Sequence, residues 1–323
     1  MSRPLCVKRD VMKRYLLMLA VVVLPVFSWA QGSAKVPFGD PFIMLYDGTY
    51  YAYGTSSGSG IRVYVSDDLK TWRNPEGQPR LALKKEDSGA ARDFWAPEVY
   101  RVNGRFYMYF SGESYVRVAT SDSPLGPFVE APKKPMFMGE NTIDNSLFVD
   151  DDGRAYMYFD RFNDGLNVWV CELEADLKTI KPETLTKCIN VSQPWEEVWP
   201  RVNEGPFVMK HKGRYYMTYS ANSYESQSYG IGMAVADTPY GPWKKYGKNP
   251  IYQNVGELVG IGHSAMFRDK RGRLRIVFHA HNSKSAIHPR GMYISRVRFK
   301  YDKEAGYRVM VVDPRYMTPV LAE

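Results

Sequence analysis

Cysteine is scarce: among 323 residues only Cys6, Cys171 and Cys188 occur. So few thiols exclude a disulfide-stapled scaffold, and no CxxC pair is present to hold a metal. Cys171 and Cys188 would close one short loop, if geometry brings them together. No window carries the apolar period of a long amphipathic helix, which leaves strands to build the core. A run of Lys and Arg is also missing beyond residue 30. The formal charge of +8 includes five basic residues and one acid in residues 1–30, so the remainder carries only +4. That mild charge suits solubility, and no nucleic-acid partner is expected. The apolar run "YLLMLAVVVLPVF" is short and broken by Pro25, which argues against a membrane span. It follows Arg3, Lys8, Arg9, Lys13 and Arg14 and precedes "SWAQG", the pattern of a secretory signal. Residues 1–30 are therefore read as a signal peptide, with Met12 as an alternative start. Residues 31–323 are read as one secreted or periplasmic domain.

What the chain does have is repetition. Five segments share an apolar stretch, a glycine turn and alternating aromatics: "FIMLYDGTYYAYGTS", "EVYRVNGRFYMYFSG", "SLFVDDDGRAYMYFD", "FVMKHKGRYYMTYSAN" and "AMFRDKRGRLRIVFHAH". Each reads as a hairpin, two runs of period-two alternation around a turn. The turn glycines Gly48, Gly104, Gly153, Gly213 and Gly272 lie 56, 49, 60 and 59 residues apart. A further strand follows each hairpin, as in "IRVYVSDDLKTW" and "IGMAVADTPYGPW". Three strands with room for a fourth, repeated at near-constant spacing, predict the blades of a propeller. The expected fold is all-β, a five-bladed β-propeller in a single domain. A pair of β-sandwiches is the alternative, but it would not explain the period.

The repeats differ just before each hairpin, in "FGDPF", "WAPEV", "IDNSLF", "NEGPFV" and "GHSAMF". Counting back from the turn glycine, Asp144, Glu204 and His263 stand nine residues before it and Asp40 eight. The first strand of a blade lines the channel, so these positions are expected to converge at one channel mouth. Each has an ordinary reading on its own: Asp40-Pro41 as a turn former, Glu204-Gly205-Pro206 as a strand start, His263 as a core histidine. Together they suggest a site built on a repeated scaffold. Carboxyl groups at a channel mouth suit glycoside hydrolysis, one protonating the leaving oxygen and one activating water. A third carboxyl beside the acid would raise its pKa.

These motifs resemble glycoside hydrolase family 43 over about residues 36–300. The likeness rests on "FGDPFIMLYDGTYYAYGTS", "FWAPEVYRVNGRFYMYFSG", "IDNSLFVDDDGRAYMYF" and "NEGPFVMKHKGRYYMTYSAN". It implies an inverting hydrolase of arabinofuranosyl or xylosyl linkages in plant polysaccharides or their oligosaccharides. By that likeness Asp40 would be the general base, Glu204 the general acid and Asp144 the group that raises the pKa of Glu204. His263 would lie near a cation such as calcium and its waters, with no organic cofactor required. Arg290 would contact the sugar and Asp144, and Trp95 would wall the sugar pocket, with packing between blades as its plainer reading. No counterpart of the C-terminal β-sandwich of some β-xylosidase members is expected within residues 31–323.

Other acids are weaker candidates. Asp150, Asp151 and Asp152 form the third hairpin turn and are expected to solvate it, lacking the ligand spacing of an EF-hand. Glu98 is expected to pair within the second blade. Glu196 and Glu197 are expected to be solvated. Alternative functions are a galactosidase of the same fold and an inactive glycan-binding propeller. Linkage, exo or endo action and oligomeric state carry no signature in the sequence.

Overall fold

The computed structural model describes Met1 and residues 34–56, 58–198 and 200–322. The signal peptide read over residues 1–30 lies outside them, Met1 apart. Among the described residues no helix is long and apolar enough to cross a membrane.

Five antiparallel sheets follow one another along the chain. Each opens with an inner strand: Gly39–Tyr46, Trp95–Val102, Thr142–Val149, Asn203–His211 and Gly262–Arg268. Neighbouring inner strands touch, and the fifth touches the first, so the sheets close into a ring around a channel. This is the five-bladed β-propeller expected from the repeats. Among the described residues four blades have four strands. The second has three, and its fourth is reduced to a bridge between Thr120 and Val129.

The turn residues explain the hairpins. Asp47-Gly48, Asn103-Gly104 and Lys212-Gly213 all have positive φ, the two-residue turn whose twist matches the strands. Blades three and five instead turn through the five residues of Asp150–Arg154 and Asp269–Arg273. In both, the leading Asp N–H donates to the carbonyl of the arginine at the far end.

The core lies between the blades. Tyr53, Tyr109 and Tyr158 are fully buried on the second strands of the first three blades. Each donates its hydroxyl to a loop carbonyl of the next blade: Pro124 at 2.5 Å, Leu177 at 2.8 Å and Pro239 at 2.7 Å. An aromatic that fills the gap between two sheets thus also satisfies its polar end. Cys171 and Cys188 are free thiols, with Cys171 buried.

Two acids expected to be solvated are structural instead. Glu196 is fully buried, accepting from Lys245 Nζ at 2.6 Å and Tyr219 Oη at 2.7 Å. Asp150 accepts from Lys210 Nζ at 2.7 Å and from the Tyr215 hydroxyl, pinning the third blade to the fourth. Glu98 takes the hydroxyl of Tyr100 in its own blade, but also bonds Ser146 and the Leu147 N–H in the next. Burial raises it to about 8, against those hydrogen bonds.

Candidate active site

In every blade the pairing of the inner strand slips by one residue, between Gly39 and Phe42, Trp95 and Glu98, Ile143 and Ser146, Glu204 and Phe207, and Gly262 and Ala265. The residues inside these bulges are Asp40, Ala96, Asp144, Gly205 and His263, with φ of 46°, 44°, 56°, 59° and 46°. A left-handed backbone costs a residue other than glycine about 1–2 kcal/mol. A bulge in return re-aims a side chain, here at the start of a strand that lines the channel.

A repeated hydrogen bond offsets that cost. Across from each bulge, seven residues after the turn glycine, stands a polar residue: Thr55, Ser111, Asp160, Ser220 or His279. Each accepts the N–H of the bulge residue in the following blade. Ala96 donates to Thr55 Oγ1 at 3.0 Å, Asp144 to Ser111 Oγ at 3.0 Å, Gly205 to Asp160 Oδ2 at 2.9 Å and His263 to Ser220 Oγ at 2.7 Å. Asp40 donates to His279 Nδ1 at 3.1 Å, joining the fifth blade back to the first. Hydrogen bonds of this kind contribute about 0.5–1.5 kcal/mol each, and here they fix the channel mouth from blade to blade.

This geometry corrects the alignment drawn from the turns. The two five-residue turns place the bulge nine residues before the glycine, and the two-residue turns place it eight before. Gly205, not Glu204, therefore shares the row of Asp40, Asp144 and His263. Glu204 shares the row of Gly39, Trp95, Ile143 and Gly262. Two members of that row are glycines because neighbours lie against them. A Cβ on Gly39 would stand 2.3 Å from the Arg290 guanidinium, and one on Gly262 would stand 1.9 Å from the Tyr229 ring. Trp95, in the same row, is partly exposed.

The charges at the mouth are unequal. Asp40 is buried, which by itself opposes ionisation, but cations and donors outweigh the burial. Arg290 grips it in a fork, Nη1 to Oδ1 at 2.7 Å and Nη2 to Oδ2 at 3.0 Å, and Thr55 Oγ1 donates to Oδ2 at 2.6 Å. Arg290, His263 and His279 together hold Asp40 well below the usual carboxylate range. Arg290 was expected to bind Asp144; its hydrogen bonds go to Asp40, and its cation lies 4.9 Å from the Tyr224 ring centre. Glu204 is partly exposed and receives the Tyr229 hydroxyl at 2.7 Å. Desolvation, with the Asp40 charge adding to it, lifts Glu204 to about 7 against the pull of Tyr229 and Arg290. Asp144 is buried and pushed upward by desolvation, then by Glu204 and Asp40.

His263 Nδ1 lies 3.5 Å from Asp40 Oδ1 and 3.7 Å from Asp144 Oδ2, so the ring stands between two of the three acids. Burial lowers its pKa, against the pull of Asp40. Among the described residues no three His, Cys, Asp or Glu side chains gather as ligands for a metal ion. A separate hollow of about 670 Å³, lined by Tyr100, Phe148, Phe207 and Phe267, lies at the hairpin end of the channel and contains none of these acids.

Comparison with known proteins bears directly on this mouth. The sequence model of glycosyl hydrolases family 43 matches residues 35–304. The chain belongs to that family. Among solved structures, this family 43 chain is similar to an endo-1,4-β-xylanase from Bacteroides thetaiotaomicron, 43% identical with a TM-score of 0.83, covering 90% of this chain and 99% of that one. It is 28% identical over 266 residues to a β-D-galactofuranosidase of Aspergillus niger, covering 75% of this chain and 73% of the relative. It is 24% identical over 310 residues to an extracellular exo-α-(1→5)-L-arabinofuranosidase of Cellvibrio japonicus, covering 82% and 85%. Two further relatives are longer, and the chain spans 45% and 47% of their lengths.

Within the family 43 mouth, the acids singled out from sequence, Asp40, Asp144 and Glu204, converge with His263 and Arg290. Sequence reasoning missed Tyr229, His279, Thr55, Tyr224 and Asp160. Three of these, Thr55, Asp160 and His279, share the offset of seven residues after the turn glycine, a signal present in the chain. Tyr229 and Tyr224 sit on no repeated position, and nothing local marks them.

Proposed function

We propose that the protein hydrolyses arabinofuranosyl or xylosyl linkages with inversion at the anomeric carbon. The observation that carries this reading is the split between two carboxyl groups of one mouth. Asp40 stays ionised under the Arg290 fork, while Glu204 is lifted to about 7 and holds a proton through mildly acidic pH. Carboxyls driven apart in this way suit base and acid roles. Asp40 takes a proton from water as its oxygen attacks the anomeric carbon. Glu204 delivers its proton to the departing glycosidic oxygen. Asp144 and Glu204 disfavour each other's ionised form, and an ionised Asp144 would keep the proton on Glu204. Trp95, at the mouth, offers an apolar face to the sugar. Water, Asp40 and Glu204 supply every atom, so no organic cofactor enters, and a cation near His263 would be held by water and act through its charge alone.

A galactofuranosyl substrate is the second reading, favoured by the name of the Aspergillus niger relative. The protein acts outside the cytoplasm in this proposal. The charged, apolar and small-residue order of residues 1–30 supports that, as does the relative named as extracellular.

The test uses arabino- and xylo-oligosaccharides, whose leaving groups need protonation. Asp40→Ala and Glu204→Gln should each lower kcat by roughly 10²–10⁴-fold while circular dichroism stays that of the wild type. The first product observed by NMR should carry the inverted anomer. Turnover near wild type in either folded variant, or a retained anomer, overturns the assignment.

A further inference from the structure

Asp160 has an oxygen too many for the place it occupies. At the same position the other blades use Thr55, Ser111, Ser220 and His279, and one acceptor suffices to take the N–H of the next bulge. Asp160 does this with Oδ2. Its side chain is fully buried, and Oδ1 finds no donor among the described residues. Across the strand pair Asp160 stands opposite Ile143, and its carboxyl is within hydrogen-bonding reach of the carboxyl of Asp144. Two carboxylates cannot hydrogen-bond to one another. A proton must lie between them, or two buried negative charges would face each other unpaired.

We propose that Asp160 is permanently protonated and donates from Oδ1 to Asp144, acting as a positioning residue that keeps Asp144 ionised and aimed at Glu204. This rests on the glycosidase reading above and deepens it. Protonated Asp160 satisfies both of its partners at once, Oδ2 accepting from Gly205 and Oδ1 donating to Asp144. Gly205 follows Glu204 directly, so one carboxylic acid ties the backbone of the acid residue to the side chain that tunes it. The choice of proton holder follows from surroundings. Asp160 is wholly enclosed, with Asp144, Glu204 and Cys188 as its titratable neighbours, none of them cationic. Asp144 faces Glu204, Asp40 and His263. Burial, Glu204 and Asp40 push Asp144 upward as well, but the Asp160 hydrogen bond and, at longer range, the Arg290 charge favour its ionised form, and Asp160 has no such cation. Burial and the neighbouring Asp144 and Glu204 charges both push Asp160 upward, in agreement with that geometry.

The experiment compares two variants by the pH dependence of kcat/KM on a xylo- or arabino-oligosaccharide, with thermal unfolding to confirm the fold. Asp160→Ser keeps an acceptor for Gly205, as Ser111 and Ser220 do in their blades, but removes the donor to Asp144. Asp144 then takes up the proton, Glu204 loses the neighbouring charge, and the alkaline limb moves to lower pH by about one unit, roughly tenfold in rate along that limb. Asp160→Asn restores a donor and an acceptor without a titrating proton, and should return the limb to its wild-type position. An unmoved limb in Asp160→Ser would reduce Asp160 to a backbone latch and overturn the proposal. A limb displaced in Asp160→Asn would show that Asp160 is ionised in the wild type and also overturn it. Infrared difference spectroscopy gives a readout independent of turnover. The wild type at pH 9, where Glu204 is ionised, should retain the C=O stretch of a protonated carboxylic acid that Asp160→Asn lacks. Absence of that band sinks the proposal even if the glycosidase reading holds, and its presence in a protein inactive on every glycoside would leave only the functional reading refuted.

Discussion

The residues of the mouth are distinguished less by their type than by who touches them. Asp40, Asp144 and Asp160 are all buried aspartates, yet only Asp40 has a cation in contact. Arg290 is thus the group that makes an aspartate in a desolvated site into an anion. Replacing it with Met removes the fork and leaves burial in charge of Asp40. Its pKa then rises by about 1–3 units, the usual size of an Asp–Arg effect. Because Asp40 must be ionised to accept a proton, the acidic limb of kcat/KM should move to higher pH by that amount in Arg290→Met. Steady-state rates from pH 3 to 7 check this, and an unmoved acidic limb would remove Arg290 from the control of Asp40. This partnership was not legible in the sequence, because 250 residues separate the pair and no local pattern links them. Glu196 and Asp150 misled for the same reason: a run of acids beside a turn looks solvated until Lys245, Lys210 and Tyr215 arrive from other blades.

At the scale of elements, the strained bulge and its latch form one unit. The bulge turns a side chain toward the channel, and the polar residue across from it holds the next bulge in place. Hairpins and strand order were readable because they rest on local rules, a glycine turn between alternating runs. The bulge was not, since a slip of one residue leaves the alternation intact on either side. It shifted Glu204 into a different row from Asp144, although the two acids still meet. The latch was present in the chain as Thr, Ser, Asp, Ser and His at one offset, but short polar residues at a strand end usually mean only that the strand is ending. Ser220 isolates the contribution of the unit, because its hydroxyl accepts the N–H of buried His263. Ser220→Ala leaves that N–H unpaired and should cost about 1–3 kcal/mol in denaturant unfolding. It should also lower kcat, as the His263 bulge relaxes between Asp40 and Asp144. Wild-type stability in this variant would mean that the bulges need no latch.

For the whole molecule, the five-fold period sets the fold, and the site lies where the period is broken. A ring of similar blades has one join where the two ends of the propeller meet, between the fifth blade and the first. Asp40 stands at this join. Its N–H is held by His279 and its carboxyl by Arg290, both from the fifth blade. The candidate base is therefore assembled by ring closure and not by any single blade. The last residues of the chain reinforce the join. Val320 and Leu321 run parallel to Thr71 and Trp72 of the first blade, Met317 bonds Ile294 of the fifth, and Val36 donates to Pro319 at 3.2 Å. Removing residues 314–323 deletes these bonds without touching a residue of the mouth. If closure positions the base, the truncated protein should melt at a lower temperature and lose kcat. Its acidic limb should also move upward as in Arg290→Met, because the fifth blade no longer holds Arg290 against Asp40. The alkaline limb should move less, since desolvation is the main force on Glu204 and Arg290 only a lesser pull. Parallel movement of both limbs would show that the tail supports the mouth as a whole, and an unchanged profile with a lowered melting temperature would confine it to stability.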